Sequence, residues 1–351
     1  MNAPLPSSQG LLVMPHLQVQ NANAISSQMT HGFPSITAFT GLMWALERKL
    51  SAAGLPLHFL KVGVICHDHQ EQVNNGFVKT FHLTRNPVEK DGSTAGIVEE
   101  GRTHLDLTLV FLVRQKGSTT DVAPLLVNAN DDALDELAQQ AWQTLSMMRV
   151  AGGSVLPPRP APGRSIRPWL RVLLDEPVGR AAQFREWRRR WLPGFALVGR
   201  DDLIPTRLAV LRKERPDATT LDAWMDLSRF NYRAEPVEDG AKPDSRVRWS
   251  DPQRGKGSGW IVPIPVGYAG LSDLHKGGQV RNTRDVDTPL RFVESVYSMG
   301  EWISPHRLEQ VDALLWHAET DNARALYRCR NNYVPAAEAD EATGDDFYAY
   351  D

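Results

Sequence analysis

The chain has 351 residues, 42% hydrophobic and 23% charged, with a net charge of −3 and two cysteines. That length can bury one large core or two modest ones. The isolated Cys66 and Cys329 exclude a disulfide framework and a thiolate metal site. No apolar run is long enough to cross a bilayer, and MNAPLPSSQG has no basic segment leading into an apolar one, so a cytoplasmic protein without membrane contact is expected.

Residues 1–10 are expected to be disordered. Leu11, Val13, Leu17 and Val19 then alternate with Leu12, His16, Gln18 and Gln20, the period of a strand. A polar loop, NANAISS, and a Gly-Phe-Pro turn lead to Ser35, placed to cap a helix whose apolar face is Ile36, Phe39, Met43, Leu46 and Leu50. Leu60–Cys66 reads as a buried strand, Val78–Leu83 as a shorter one and Thr103–Val113 as a long alternating one. The polar stretch at about 84–102 is too long for a plain hairpin loop and reads as an excursion with a job. Asp131–Met148 is a second amphipathic helix, opening on two aspartates and closing on Arg149 and Gly152-Gly153. Strand, helix, strand, strand, helix, completed by a strand at Gly194–Val198, is the ferredoxin-like pattern and gives an α+β fold.

Residues 11–154 are therefore expected to form the core. Residues 155–234 hold a proline-rich linker and an arginine-rich helical region, with helices near 180–191, 202–214 and 220–227; 235–259 is a flexible linker. Residues 260–335 should pack on the core, starting with WIVPIPV, whose prolines suit an edge strand or extended arm. Two helices are expected there, after Thr288-Pro289 and after Ser304-Pro305. The tail 336–351 is acidic.

Catalytic signatures are scarce. The sequence has no phosphate loop, dinucleotide fingerprint, nucleophile elbow or zinc-protease motif. His67 and His69 flank Asp68 without a third metal ligand of known spacing, and read as strand-end polar groups. His16, His31, His82 and His104 could share one sheet face and supply a general base, with core or rim histidines as the simpler reading. Arg85, Arg102, Arg149, Arg281, Arg284 and Arg291 stand at element ends or in loops, where a guanidinium can reach a phosphate, although any one such arginine is more often a solvated surface charge. Asn21, Asn23, Asn86 and Asn282 offer amides for base edges or a 2′-hydroxyl. The REWRRRW run could face nucleic acid, or could dock Trp187 and Trp191 on a partner.

NANAISS…HGFPS…FTG at 21–41, LTRNP…DGSTA…IVEEGR at 83–102, M-R-x-A-G-G-S-x-L-P at 148–157, LPGFALV at 192–198, VPIPVGY at 262–268, VRN at 280–282, TPLRFVE at 288–294 and GEW-x-SPHR at 300–307 resemble one family. It is the second Csy subunit of type I-F CRISPR surveillance complexes, in the fifth Cas family of the RAMP superfamily. The resemblance implies an RRM-like core with a thumb-like excursion, and a non-catalytic subunit without cofactor or metal. Such a subunit binds the 5′ handle of the CRISPR RNA, pairs with the large subunit and abuts the backbone subunit. It places Asn21, Asn23, Ser26, Ser27, His31, Arg85, Asn86, Arg102, Arg149, Gly153, Ser154, Arg281, Asn282, Arg284 and Arg291 as candidates for RNA contact. Arg185, Arg188, Arg189 and Arg190 are candidates for a partner or for target duplex DNA beside the protospacer-adjacent motif. The rival reading is a metal-independent RAMP-type endoribonuclease with His16, His31 or His82 as base.

Overall fold

A computed structural model describes residues 9–55, 57–85, 88–94, 97–115, 130–158, 160, 166–236, 247–251, 259–283 and 285–335; side chains at 83–85, 97–99, 115, 235 and 236 lie outside that description. The fold is mixed α/β, built on a large antiparallel sheet. Its centre is three long strands, β1 (Gln9–Asn23), β2 (Leu57–Glu71) and β3 (Arg102–Gln115). Strand β3 pairs with β1 on one side and β2 on the other. The helices α1 (Ile36–Ala52) and α2 (Asp131–Ser146) place Ile36, Phe39, Leu46, Leu134 and Leu145 in one core with Leu12, Leu17, Leu107, Leu109 and Phe111 of the strands. The alternation expected for Leu105, Leu107, Leu109, Phe111 and Val113 is present: all five are buried in that core.

The position beside β1 is filled by β4 (Gly153–Leu156) and β5 (Trp169–Val172), which pair with its outer half and its start. The strand expected at Gly194–Val198 exists as β6 (Phe195–Gly199) but lies elsewhere. It joins β2 at Ile65–Cys66 and β8 (Val293–Ile303). Strands β7 (Trp260–Gly270), β9 (Leu315–Asp321) and β10 (Leu326–Asn331) complete a ring running β6, β8, β7, β10, β9, β2 and back to β6. Six strands thus close on themselves, with Leu197, Ile264, Val266, Trp316 and Cys329 buried in the main core. The Trp316 indole N–H donates to the Leu197 carbonyl across this ring at 2.8 Å.

The prolines of β7 fall where they do least harm. Pro263 and Pro265 pair only with β8, and β10 joins on the other side from Gly267 onward. The helix expected after Thr288-Pro289 is the strand β8; its VESVYSMGEWI sequence finds ladder partners on both sides, and long-range pairing prevails over a local cap signal. After Ser304 the chain forms a 3-10 turn at Pro305–Arg307 and one helical turn at Val311–Leu314.

The opposite face of the central sheet carries a second core. Helix α3 (Pro177–Trp187) and the 3-10 turn after it lay Phe184, Trp187 and Trp191 against Leu11, Val13, Val110 and Leu112. Helices α4 (Leu203–Glu214) and α5 (Thr220–Leu227) follow; Thr219 and Asp222 form a capping box at the start of α5. Between β2 and β3 the excursion contains two short ladders, Val73–Asn74 with Thr80–Phe81 and Leu83–Arg85 with Ile97–Glu99. Among the described residues no helix is long and apolar enough to cross a membrane.

Candidate nucleic-acid interface

Beyond the second core, the open face of β1, β2 and β3 turns polar. Strand β1 breaks its register between Met14 and Leu17 and between Val19 and Ala22, and His16 and Asn21 take positive φ at these irregularities, 49° and 57°. The bulges re-aim the side chains around them. The Asn21 N–H donates to His104 Nδ1 at 3.1 Å, and Gln20 stands opposite Ser154 on β4.

Arg149–Val150 and β4 form a tight hairpin whose turn residues, Ala151 and Gly152, both have positive φ, 47° and 81°. The Ala151 carbonyl accepts from the Asn23 N–H at 2.9 Å, tying the turn to the end of β1. Gly153 is required by contact: a Cβ there would lie 2.7 Å from Val19 Cγ1 and 2.8 Å from the Ala22 nitrogen and Gln20 oxygen. The glycine lets β4 seat against β1 and is itself buried.

These elements enclose a cleft of about 350 Å³. Gln20, Asn21 and Gln72 line it with Arg102, Arg149 and Ser154, and His82, Glu100 and Gly152 complete the wall. A second groove of about 500 Å³ shares Arg149 and Gly152 with the first and passes Asn23 and Ser26 toward Ser35, Thr37 and Tyr268. It opens beside the start of α1, where Ser35 accepts from the Thr37 N–H and the helix dipole favours an anion. Both depressions therefore meet at Arg149.

The two cleft arginines differ. Arg102 donates from Nε and Nη2 to Glu100 Oε2 at 3.0 and 2.8 Å, which offsets its charge. Arg149 is exposed and its Nη1 donates to the neutral Gly152 carbonyl at 3.1 Å, leaving its charge directed at the cleft. Amides, a hydroxyl and one uncompensated guanidinium can bind a polar anion with hydrogen-bonding edges.

Asn21, Arg102, Arg149 and Ser154 thus meet in the cleft, with Gly153 behind them and Asn23 and Ser26 in the adjoining groove. The Asn23 side chain is spent on Ile25, accepting from its N–H and donating to its carbonyl, and Ser26 and Ser27 both bond Thr30 Oγ1, at 2.8 and 2.7 Å. These groups shape the loop. His31 lies 3.7 Å from the Glu71 carboxylate and against the Phe81 ring, and burial pushes its imidazole below the usual range. Arg281, Asn282 and Arg291 stand on the segment between β7 and β8 and line neither depression; Arg291 packs beside Gly270 with a buried Nε. Asn86, Arg284 and the Arg85 side chain fall outside the described residues.

The arginine-rich segment divides. Trp187 and Trp191 are 6% and 2% exposed, so they dock on this chain's own second core. Arg188 donates to the Leu308 carbonyl, and Arg190 pairs with Glu186 at 3.0 Å and lies over the Trp169 ring. Arg185 and Arg189 are exposed. Gln20, Gln72 and Glu100 were not among the sequence candidates for this site, and His82 was one only as a general base; the chain's path brings them to it, and the one local signal was the polar parity of Gln20 on its strand.

A second cluster lies on the same open face. His16 Nδ1 is 3.1 Å from both carboxylate oxygens of Asp106, and its ring stacks on His67 at 4.2 Å. His67 Nε2 bonds Thr108 Oγ1 at 2.7 Å and its Nδ1 donates to the Pro193 carbonyl at 2.6 Å. Burial holds the His67 imidazole below its ordinary pKa. Among the described residues no three His, Cys, Asp or Glu side chains are grouped to hold a metal ion.

A family model described as CRISPR-associated protein (Cas_Csy2) matches residues 12–329. The chain is also similar to the CRISPR-associated protein Csy2 of Pseudomonas aeruginosa strain UCBPP-PA14, 42% identical over 330 residues, which covers 91% of this chain and 94% of that relative.

Proposed function

The chain belongs to the Csy2 family of CRISPR-associated proteins, subunits of type I-F Csy complexes, and from that premise we propose that it is the non-catalytic subunit that holds the 5′ handle of the CRISPR RNA. The observation that carries this reading is the cleft at Arg149. Its amides from Gln20, Asn21 and Gln72 suit base edges and 2′-hydroxyls of a splayed single strand. Arg149, at the junction of the two depressions, suits the backbone phosphate between two such nucleotides. The strand order β2, β3, β1 and β4 or β5, with α1 and α2 on one face, supports an RRM-like core. The excursion between β2 and β3 supports the thumb, and its Glu100 and His82 reach the cleft wall.

In this reading the subunit pairs with the large subunit, abuts the backbone subunit and works in the cytoplasm. Exposed Arg185 and Arg189, together with Arg190, are the candidates for target duplex DNA. The test is handle-RNA binding by the assembled complex. Arg149→Glu should weaken it at least tenfold at moderate salt, and Gln20→Ala should change which handle sequences are preferred. Unchanged handle affinity in Arg149→Glu would reject the site.

One observation supports a second reading. The His16–Asp106 pair is a base with an orienting carboxylate, the arrangement a metal-independent ribonuclease needs. Cleavage of labelled repeat RNA by the purified protein, abolished in His16→Ala, would establish it over the non-catalytic role.

A further inference from the structure

Helix α1 carries a glycine that the fold does not need. Gly41 lies well inside Ile36–Ala52, where glycine is among the poorest helix formers. Its φ is not positive, so no left-handed turn calls for it. A Cβ built there meets no atom within 4 Å, whereas at Gly153 it would strike main chain. Gly54, Gly92 and Gly152 are equally open, but each of them takes positive φ. Gly41 is exposed, and it lines the groove of about 500 Å³ that reaches Arg149. A glycine that weakens its helix and relieves no neighbour marks a place where something outside the chain approaches the backbone closely.

We propose that this groove is a base pocket for one unstacked nucleotide of the handle and that Gly41 sets its depth, an inference that rests on the handle-binding reading above. Leu42, Met148 and Ala151 give the groove apolar walls, and all three are held by the main core. Tyr268 also lines it, with its hydroxyl fixed 3.2 Å from Thr37 Oγ1. A base has apolar faces and a polar edge, which suits apolar walls with a few polar groups at the rim. Charge selects this occupant over an apolar peptide. Arg149, bonded to the neutral Gly152 carbonyl, lines both the groove and the cleft. An apolar chain laid in the groove would cover that cation and offer it no anion. A nucleotide brings its own phosphate to it.

The experiment uses the assembled complex and handle RNA carrying an abasic site at each handle position in turn. With the parent protein, one abasic position should lower affinity roughly tenfold, the loss of one well-seated base. Gly41→Leu fills the groove; it should bind intact handle roughly tenfold more weakly, and that abasic position should then have no further effect. Gly41→Ala should fall between parent and Gly41→Leu. Both variants should melt at or above the parent's temperature, because each puts a better helix former into α1. Weaker binding is therefore separable from unfolding. Handle affinity in Gly41→Leu equal to the parent's overturns the proposal. So does weaker binding with the parent's abasic profile retained. Loss of assembly with the other Csy subunits by a folded Gly41→Leu chain also overturns it, and would make the groove a protein surface. Arg149→Glu separates the two claims: if it binds normally as well, the handle reading has failed, and if it alone is defective, only the base pocket has.

Discussion

At the scale of single residues, the site depends on atoms that are absent as much as on those present. Gly153 has no Cβ, and adding one meets main-chain atoms of Gln20 and Ala22 that cannot step aside. Gly153→Ala should therefore destabilise the fold by about 1–3 kcal/mol and weaken RNA binding with it, a correlation that urea melts and handle binding on the same sample would reveal. Gly152-Gly153 reads in the sequence as a helix stop; in the structure Ala151 and Gly152 make the turn of a hairpin and Gly153 opens its second strand. The two thiols are chemically quiet. Burial pushes Cys66 up to about 12 and Cys329 up to about 11, so neither forms appreciable thiolate near neutral pH. A disulfide reagent at pH 7.5 should label neither in the native chain and both after denaturation; fast native labelling would show that the ring around Cys329 opens.

At the scale of elements, the local patterns were legible and the long-range pairings were not. The faces of α1, α2 and β3 followed from apolar spacing because each element buries one side. The place of β6 did not, since five residues with no turn signal of their own can add to any open strand; only the structure shows them bridging β2 and β8. At α3 the sequence left two readings open, a nucleic-acid face and a docking helix; Phe184, Trp187 and Trp191 are buried and Arg188 holds the Leu308 carbonyl, while Arg185 and Arg189 stay exposed. Trp191→Ala should cost about 3–5 kcal/mol with loss of expression even for the isolated chain. Charge reversal at Arg185 and Arg189 should leave stability within about 0.5 kcal/mol. If that reversal unfolds the chain, these side chains carry packing that their exposure does not suggest. The cleft itself was half legible: Asn21, Arg102, Arg149 and Ser154 are named by the sequence as contact candidates and His82 as a general base, whereas Gln20 and Gln72 arrive by register.

At the scale of the whole molecule, the open sheet face joins three parts of the chain: the bulged ends of β1 and β2, the middle of β3 and the turn before β6. His67 is the joint, bonded to Thr108 on one side and the Pro193 carbonyl on the other. Burial lowers its pKa, so the folded state prefers the neutral ring. The stabilisation is complete above the unfolded value of about 6.5 and is lost progressively as pH falls below it. Stacked His16 opposes a second positive charge there, while Asp106 favours one. The melting temperature should fall between pH 7 and 5, and His67→Gln should flatten that fall. An average net charge of −3 is compatible with RNA binding because the cleft concentrates its cation at one point. The most direct test of that central claim is ultraviolet crosslinking of the assembled Csy complex to its CRISPR RNA, with adducts mapped by mass spectrometry. The account predicts handle adducts in peptides containing Gln20–Asn21, Glu100–Arg102 and Arg149–Ser154. Handle adducts confined to other peptides, with these three free of them, would contradict it.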